Sequence, residues 1–239
     1  VTTAETTVRR GTTLAGSTVS GNGNRGILAT STDGNITVDV AGAASSPTDA
    51  AVRAEATGSG NATVTLQSTG KASSAGSFGL IATTNTGTAT VNTAGDSGIG
   101  VSATSTAGAA AVNITGGTGQ QASVLSGAGQ SATLSMTAGK LTGLLGLPTV
   151  SVEAGAGGVA KVDTSAGSSI TAVGNGAGIK VITAGAGSFT GTINGDVTGS
   201  GSGDGINAVG GTGGVDLKTG GVIKGGATGD GIDITSAGG

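Results

Sequence analysis

The fold turns on one stretch, Gly26-Ile27-Leu28-Ala29-Thr30-Ser31-Thr32-Asp33-Gly34-Asn35-Ile36-Thr37-Val38-Asp39-Val40-Ala41-Gly42. Within it, Ile36-Thr37-Val38-Asp39-Val40 alternates apolar with polar side chains. A period of two sends neighbouring side chains to opposite faces of a strand, so one face is set for burial. The same alternation returns in Ala62-Thr63-Val64-Thr65-Leu66, Val112-Asn113-Ile114, Ala132-Thr133-Leu134-Ser135-Met136, Val150-Ser151-Val152 and Val215-Asp216-Leu217. Nothing comparable recurs at helical spacing. Glycine supplies 52 of the 239 residues, and each would cost a helix about 1 kcal/mol.

The composition argues for order rather than for a linker. Disordered chains combine low hydrophobicity with high net charge and abundant Pro, Glu and Lys. Here there are 2 prolines, 10 % charged residues and a mean hydropathy of +0.22. The expectation is an ordered, all-β chain.

Working outward, the unit in residues 26–42 repeats. It holds a Gly-Ile or similar step, a small residue, a Gly/Ser/Thr turn, an alternating strand and a closing glycine. Ala51-Val52-Arg53-Ala54 leads to Ala62–Leu66 and ends at Gly70; Gly79-Leu80-Ile81-Ala82 leads to Thr88-Ala89-Thr90-Val91 and ends at Gly95. Aligning Ala29, Ala54, Ala82 and Ala103 gives steps of 25, 28 and 21 residues, and Gly178-Ile179, Gly205-Ile206 and Gly231-Ile232 are 27 and 26 apart. A unit of two or three short strands cannot bury its apolar face alone, but stacked units can. The spacing predicts a single-stranded, right-handed parallel β-helix spanning residues 1–239. About ten coils of 21–28 residues would form a rod roughly 45–50 Å long at the usual strand spacing. Columns of Ala, Val, Ile and Leu should line its interior, glycine should sit at corners needing positive φ, and length differences should fall in loops, with 41–51 and 140–148 as candidates.

Several function classes are excluded by composition. The chain has no Cys, His, Trp or Tyr, which removes His- or Cys-based triads, His/Cys zinc sites and disulfide frameworks. Net charge is −3 and the pI about 4.7, with two Phe as the whole aromatic complement. No basic footprint or base-stacking platform points to nucleic acid. No run approaches the roughly 18 apolar residues of a membrane helix. No cofactor is expected.

At residues Gly26-Ile27-Leu28-Ala29, 78–95, 100–116 and Gly203-Asp204-Gly205-Ile206-Asn207-Ala208 the chain resembles the passenger regions of bacterial autotransporter adhesins and related haemagglutinin-like exoproteins. The resemblance is one of repeat style. It implies display at a Gram-negative cell surface after export through a C-terminal membrane β-barrel. The girdle aromatics of such a barrel are missing here, so a passenger fragment of a longer chain is expected. The function so implied is a non-catalytic extracellular rod for adhesion or self-association, whose partners are host or neighbouring cell-surface molecules or further copies of itself. An extracellular filament joined through β-helix ends is the alternative, and a polysaccharide-acting β-helical enzyme the third reading.

Few residues invite a chemical role. Asp204 and Asp230 hold the same place before Gly-Ile, 26 residues apart. In adjacent coils they would suit a calcium pair or an acid/base pair, or each caps its own turn as an Asx residue; the second reading is favoured, and Asn175 at the preceding turn fits it. Residues 210–216 approximate a calcium-binding nonapeptide, with Asp216 one place late and no recurrence. Gly70-Lys71 and Gly139-Lys140 lack the following Ser/Thr of a phosphate loop. Leu141, Leu144, Leu145 and Leu147 form the most hydrophobic segment, either a core plug or an exposed interaction surface. Thr63-Val64-Thr65 and Thr88-Ala89-Thr90 raise an ice-binding face, but their spacing along the chain is too irregular for flat threonine ranks.

Overall fold

The computed structural model describes residues 9–13, 16–21 and 25–238, with side chains from residue 16 onward. Among the described residues every regular element is a strand, and the strands pair in parallel throughout. One winding runs from Arg9–Thr13 through Thr18–Ser20 to Ile27–Ser31, and the chain then re-enters at Ile36–Val40, hydrogen-bonded to Arg9–Thr13. Repetition builds a β-solenoid with three faces. The first sheet and the second sheet each contain nine strands, while the third face is divided into a three-stranded and a five-stranded sheet.

Among the described residues the solenoid makes about eight turns rather than the expected ten, and at about 4.8 Å per turn these span roughly 38 Å. The discrepancy lies in the length of a winding. First-sheet partners are mostly 26–29 residues apart, as from Ile36 to Ala62 and from Ala160 to Phe189; only Ala89 to Ala110 and Ala110 to Ala132 drop to 21 and 22. The third face accounts for the difference. In the 21-residue winding it shrinks to an isolated bridge between Lys71 and Asp96, and in the next to Thr118–Gly119. The long windings carry Lys140–Leu145 and Ser169–Val173 there. Length variation therefore sits partly in a strand that comes and goes, rather than in loops alone.

Both stretches expected as loops contain such strands. Ala43–Ser46 pairs with Lys71–Ser74 inside 41–51, and the remainder is a tight turn in which Ser46 Oγ accepts from the amides of Thr48 and Asp49. Arg25 Nε lies 2.7 Å from Asp49 Oδ2 and ties that turn down. Lys140–Leu145 pairs with Ser169–Val173, with a register shift between Thr142 and Leu145.

Inside, the alternation becomes columns. Val38, Val64, Val91, Val112, Leu134 and Val162 stack strand over strand; beside them stand Ala62, Ala89, Ala110, Ala132 and Ala160. The second sheet contributes Ala54, Ala82 and Ala103 in one column, and all these side chains are buried. Each buried Val or Leu contributes about 1.5–3 kcal/mol. One winding exchanges sizes: Phe189 continues the alanine column and Gly191 the valine column. A Cβ at Gly191 would lie 2.9 Å from Phe189 Cζ, so the ring fills the space that a valine occupies in the winding before.

Glycine at the corners has a reason beyond positive φ. A Cβ on Gly60 would strike the carbonyl oxygen of Gly34 in the preceding winding, and one on Gly87 the carbonyl of Gly60. Neither residue has positive φ; the neighbouring backbone simply lies where a side chain would be. Gly100 combines both constraints, with φ of +132° and the Gln121 carbonyl in the path of a Cβ.

Candidate functional surface

The outward positions of the first sheet form its most ordered polar surface. Every strand from Ile36–Val40 onward presents two side chains, two residues apart, which the parallel register aligns into two columns; Ser131, Val159 and Ser188 add a third outward position on the three six-residue strands. Thr37, Thr63 and Thr90 are consecutive in one column, followed by Ala111, Thr133, Lys161, Thr190 and Asp216; Asp39, Thr65, Asn92, Asn113, Ser135, Asp163, Thr192 and Lys218 form the other. Threonines that look irregularly spaced along the chain thus form a short regular rank, because turns and third-face strands absorb the unequal steps. The rank breaks at Ala111, Lys161 and Asp216. Asn113 Nδ2 donates to Asn92 Oδ1 at 2.8 Å, continuing the hydrogen bonding between windings through side chains.

Toward its C-terminal part this face is charged. Lys161 and Asp163 form an ion pair at 2.8 Å. They flank an open groove of ≈ 320 Å³, lined also by Ser135, Thr190, Thr192, Asp216 and Lys218.

The corners hold a second system that the sequence does not show. Asn61 Oδ1 accepts from Thr88 N at 2.7 Å, Asn35 Oδ1 from Asn61 N at 2.9 Å, and Asp196 Oδ1 from Val222 N at 3.0 Å. Inside, Thr183 Oγ1 accepts from Gly211 N at 2.8 Å. In each case a side chain supplies, to the amide of the following winding, the acceptor that a strand carbonyl would supply. A buried amide left unpaired costs about 1–3 kcal/mol. The donor lies 26–28 residues away, so only the register reveals it.

Asp204 belongs to this system. Its Oδ1 accepts from Asp230 N at 2.9 Å and its Oδ2 from Asn207 Nδ2 at 2.8 Å. Asn207 Nδ2 also reaches Asp233 Oδ2 at 3.2 Å. The carboxylate of Asp204 therefore caps the next winding's turn rather than its own, and it is Asp230's amide that Asp204 holds. Asn175 Oδ1 makes a longer contact of the same kind to Ser202 N, 3.4 Å. Asp216 stands on the first sheet's outer face, apart from this corner. Among the described residues no three His, Cys, Asp or Glu side chains cluster as metal ligands would.

The leucine segment divides. Leu141 is 2 % exposed and sits in the core above Ile170, so it is not part of any surface; the inward phase of its strand places it there. Leu144 is half-buried. Leu145 and Leu147 are 78 % and 50 % exposed; the register shift after Thr142 turns Leu145 outward, and Leu147 lies in the turn beyond the strand. They rest over Gly174 and Gly176, where a Cβ would meet Leu145 Cδ1 and the Leu147 carbonyl.

These features define a parallel β-solenoid whose distinctive surfaces are repeated, polar and open. Set against known protein families, curated proteins and solved structures, the chain matches none.

Proposed function

We propose that this chain is a non-catalytic extracellular rod of the autotransporter-passenger type, displayed at a bacterial surface and acting through adhesion or self-association. The observation that supports this reading is the unbroken parallel register of two nine-stranded sheets. Register makes the body stiff, since every winding is hydrogen-bonded to its neighbours, and it repeats the outward polar groups every 4.8 Å or so. Individually weak contacts from such a face gain strength when many rods act together. The partners are surface molecules of host or neighbouring cells, or further copies of the chain. Beads carrying the protein at graded density test the reading: adhesion to cells, or clumping, is expected to rise steeply with density. Beads that neither adhere nor clump at any density contradict it.

A further inference from the structure

We propose that two copies of the chain pair side by side, pointing the same way, through the outer face of the first sheet. The inference rests on the rod reading and names the contact by which rods associate. Two strands carry opposite charges at two successive outward positions, in opposite order: Lys161 then Asp163 on Val159–Thr164, where the exposed Val159 is a further outward residue, and Asp216 then Lys218 on Val215–Thr219. Between them, Ser188–Ile193 presents Thr190 and Thr192.

A two-fold axis parallel to the solenoid lays each strand against its own copy, reversed in direction. The first outward position of one copy then faces the second outward position of the other. Lys161 meets Asp163, Asp216 meets Lys218, and Thr190 meets Thr192. On the remaining strands from Ile36–Val40 onward each facing pair contains at least one uncharged residue, so no like charges meet across these strands. Pairing in opposite directions loses this match. At full overlap the charged strands then oppose the neutral Thr63 and Thr65 and the far end of the sheet.

The charged groups remain available for such a contact. Lys161, Asp216 and Lys218 are exposed and Asp163 is half-buried. The Lys161–Asp163 pair would become an alternating four-charge cluster, which is stronger than an isolated surface pair because each charge gains a second opposite neighbour. Eight strands of about five residues cover roughly 600 Å² per copy, about 1,200 Å² in all, at the lower edge of standard protein interfaces.

Sedimentation velocity on the full chain tests the pairing. A dimer is expected at ~50 mM salt, weakened at least about tenfold at ~500 mM as screening shortens the reach of the charges. Asp163→Lys sets lysines against lysines and should abolish the dimer. Adding Lys161→Asp restores the facing order and should bring the affinity back to within about threefold. The pair Lys218→Asp, then Lys218→Asp with Asp216→Lys, repeats the test at an independent strand, and melting curves confirm that each variant is folded. A wild-type monomer at concentrations on the order of 100 μM, a dimer indifferent to Asp163→Lys, or a charge swap that fails to restore pairing would each overturn the proposal. Bead adhesion is read separately. A monomer whose beads still adhere removes this pairing and leaves the rod reading, whereas a dimer whose beads neither clump nor adhere does the reverse.

Discussion

Ile206 and Ile232 are the same residue at the same place in consecutive windings, paired in register, yet the first is fully buried and the second is 41 % exposed. Their sequence contexts, Gly205-Ile206-Asn207 and Gly231-Ile232-Asp233, are nearly identical. What differs is that Ile206 lies between two described windings and Ile232 against one. Burial in this molecule is lent by the neighbour rather than owned by the winding. In a globular core a side chain is covered from many directions; here the column above and below carries most of the cover. Stability should then behave as a sum of winding-to-winding terms, as in other repeat proteins.

The comparison can be broken most severely in the middle of the stack. Val112→Asp places an unpaired carboxylate in a column between Val91 and Leu134. Loss of more than about 4 kcal/mol is expected, enough to split the cooperative unfolding transition seen by urea titration. A single transition of unchanged midpoint would contradict the columnar core.

Phe189 and Gly191 sharpen the comparison, because their winding solves the same packing problem with different sizes. Phe189→Ala should cost about 3–5 kcal/mol. Gly191→Val alone should cost about 1–3 kcal/mol by overpacking against the ring. Together they recreate the Ala160/Val162 arrangement of the preceding winding, so the double variant should be more stable than Phe189→Ala alone. Additive losses, measured in a double-mutant cycle, would show that the two columns do not share one space.

Smaller effects are expected at the corners. Thr183→Val keeps the volume but deprives the buried Gly211 amide of its acceptor, at about 1–3 kcal/mol. Asn61→Ala removes a similar acceptor at an exposed turn, where water can replace it, and should cost less than about 1 kcal/mol. Equal losses at both sites would mean that these side chains act through something other than amide satisfaction.

How legible all this is in the sequence depends on the range of each interaction. Alternation is local, so Ile36–Val40 and Ala62–Leu66 declare their strands and inner faces directly. The Ala29, Ala54, Ala82 series declares the stacking, and the structure pairs those residues in that order. The number of turns is harder, because third-face strands vary from two residues, as at Thr118–Gly119, to six at Lys140–Leu145, where glycine interrupts the alternation, so they do not read as a regular strand. Leu141 and Leu145 look alike in a hydrophobic run, and only the register shift after Thr142 separates core from surface. Asp204 invites a chemical reading as a residue, yet its partner is a backbone amide 26 residues away. The charge order on the first sheet's face is visible as Lys161-Val162-Asp163 and Asp216-Leu217-Lys218, but it carries meaning only once the strands are placed on one sheet.

The central claim is that each winding is stabilised by the one stacked on it. Urea denaturation of Ile206→Ala and Ile232→Ala, side by side, tests it most directly. The account predicts a loss of about 2–5 kcal/mol for Ile206→Ala and less than half as much for Ile232→Ala. Equal losses at the two isoleucines would contradict it.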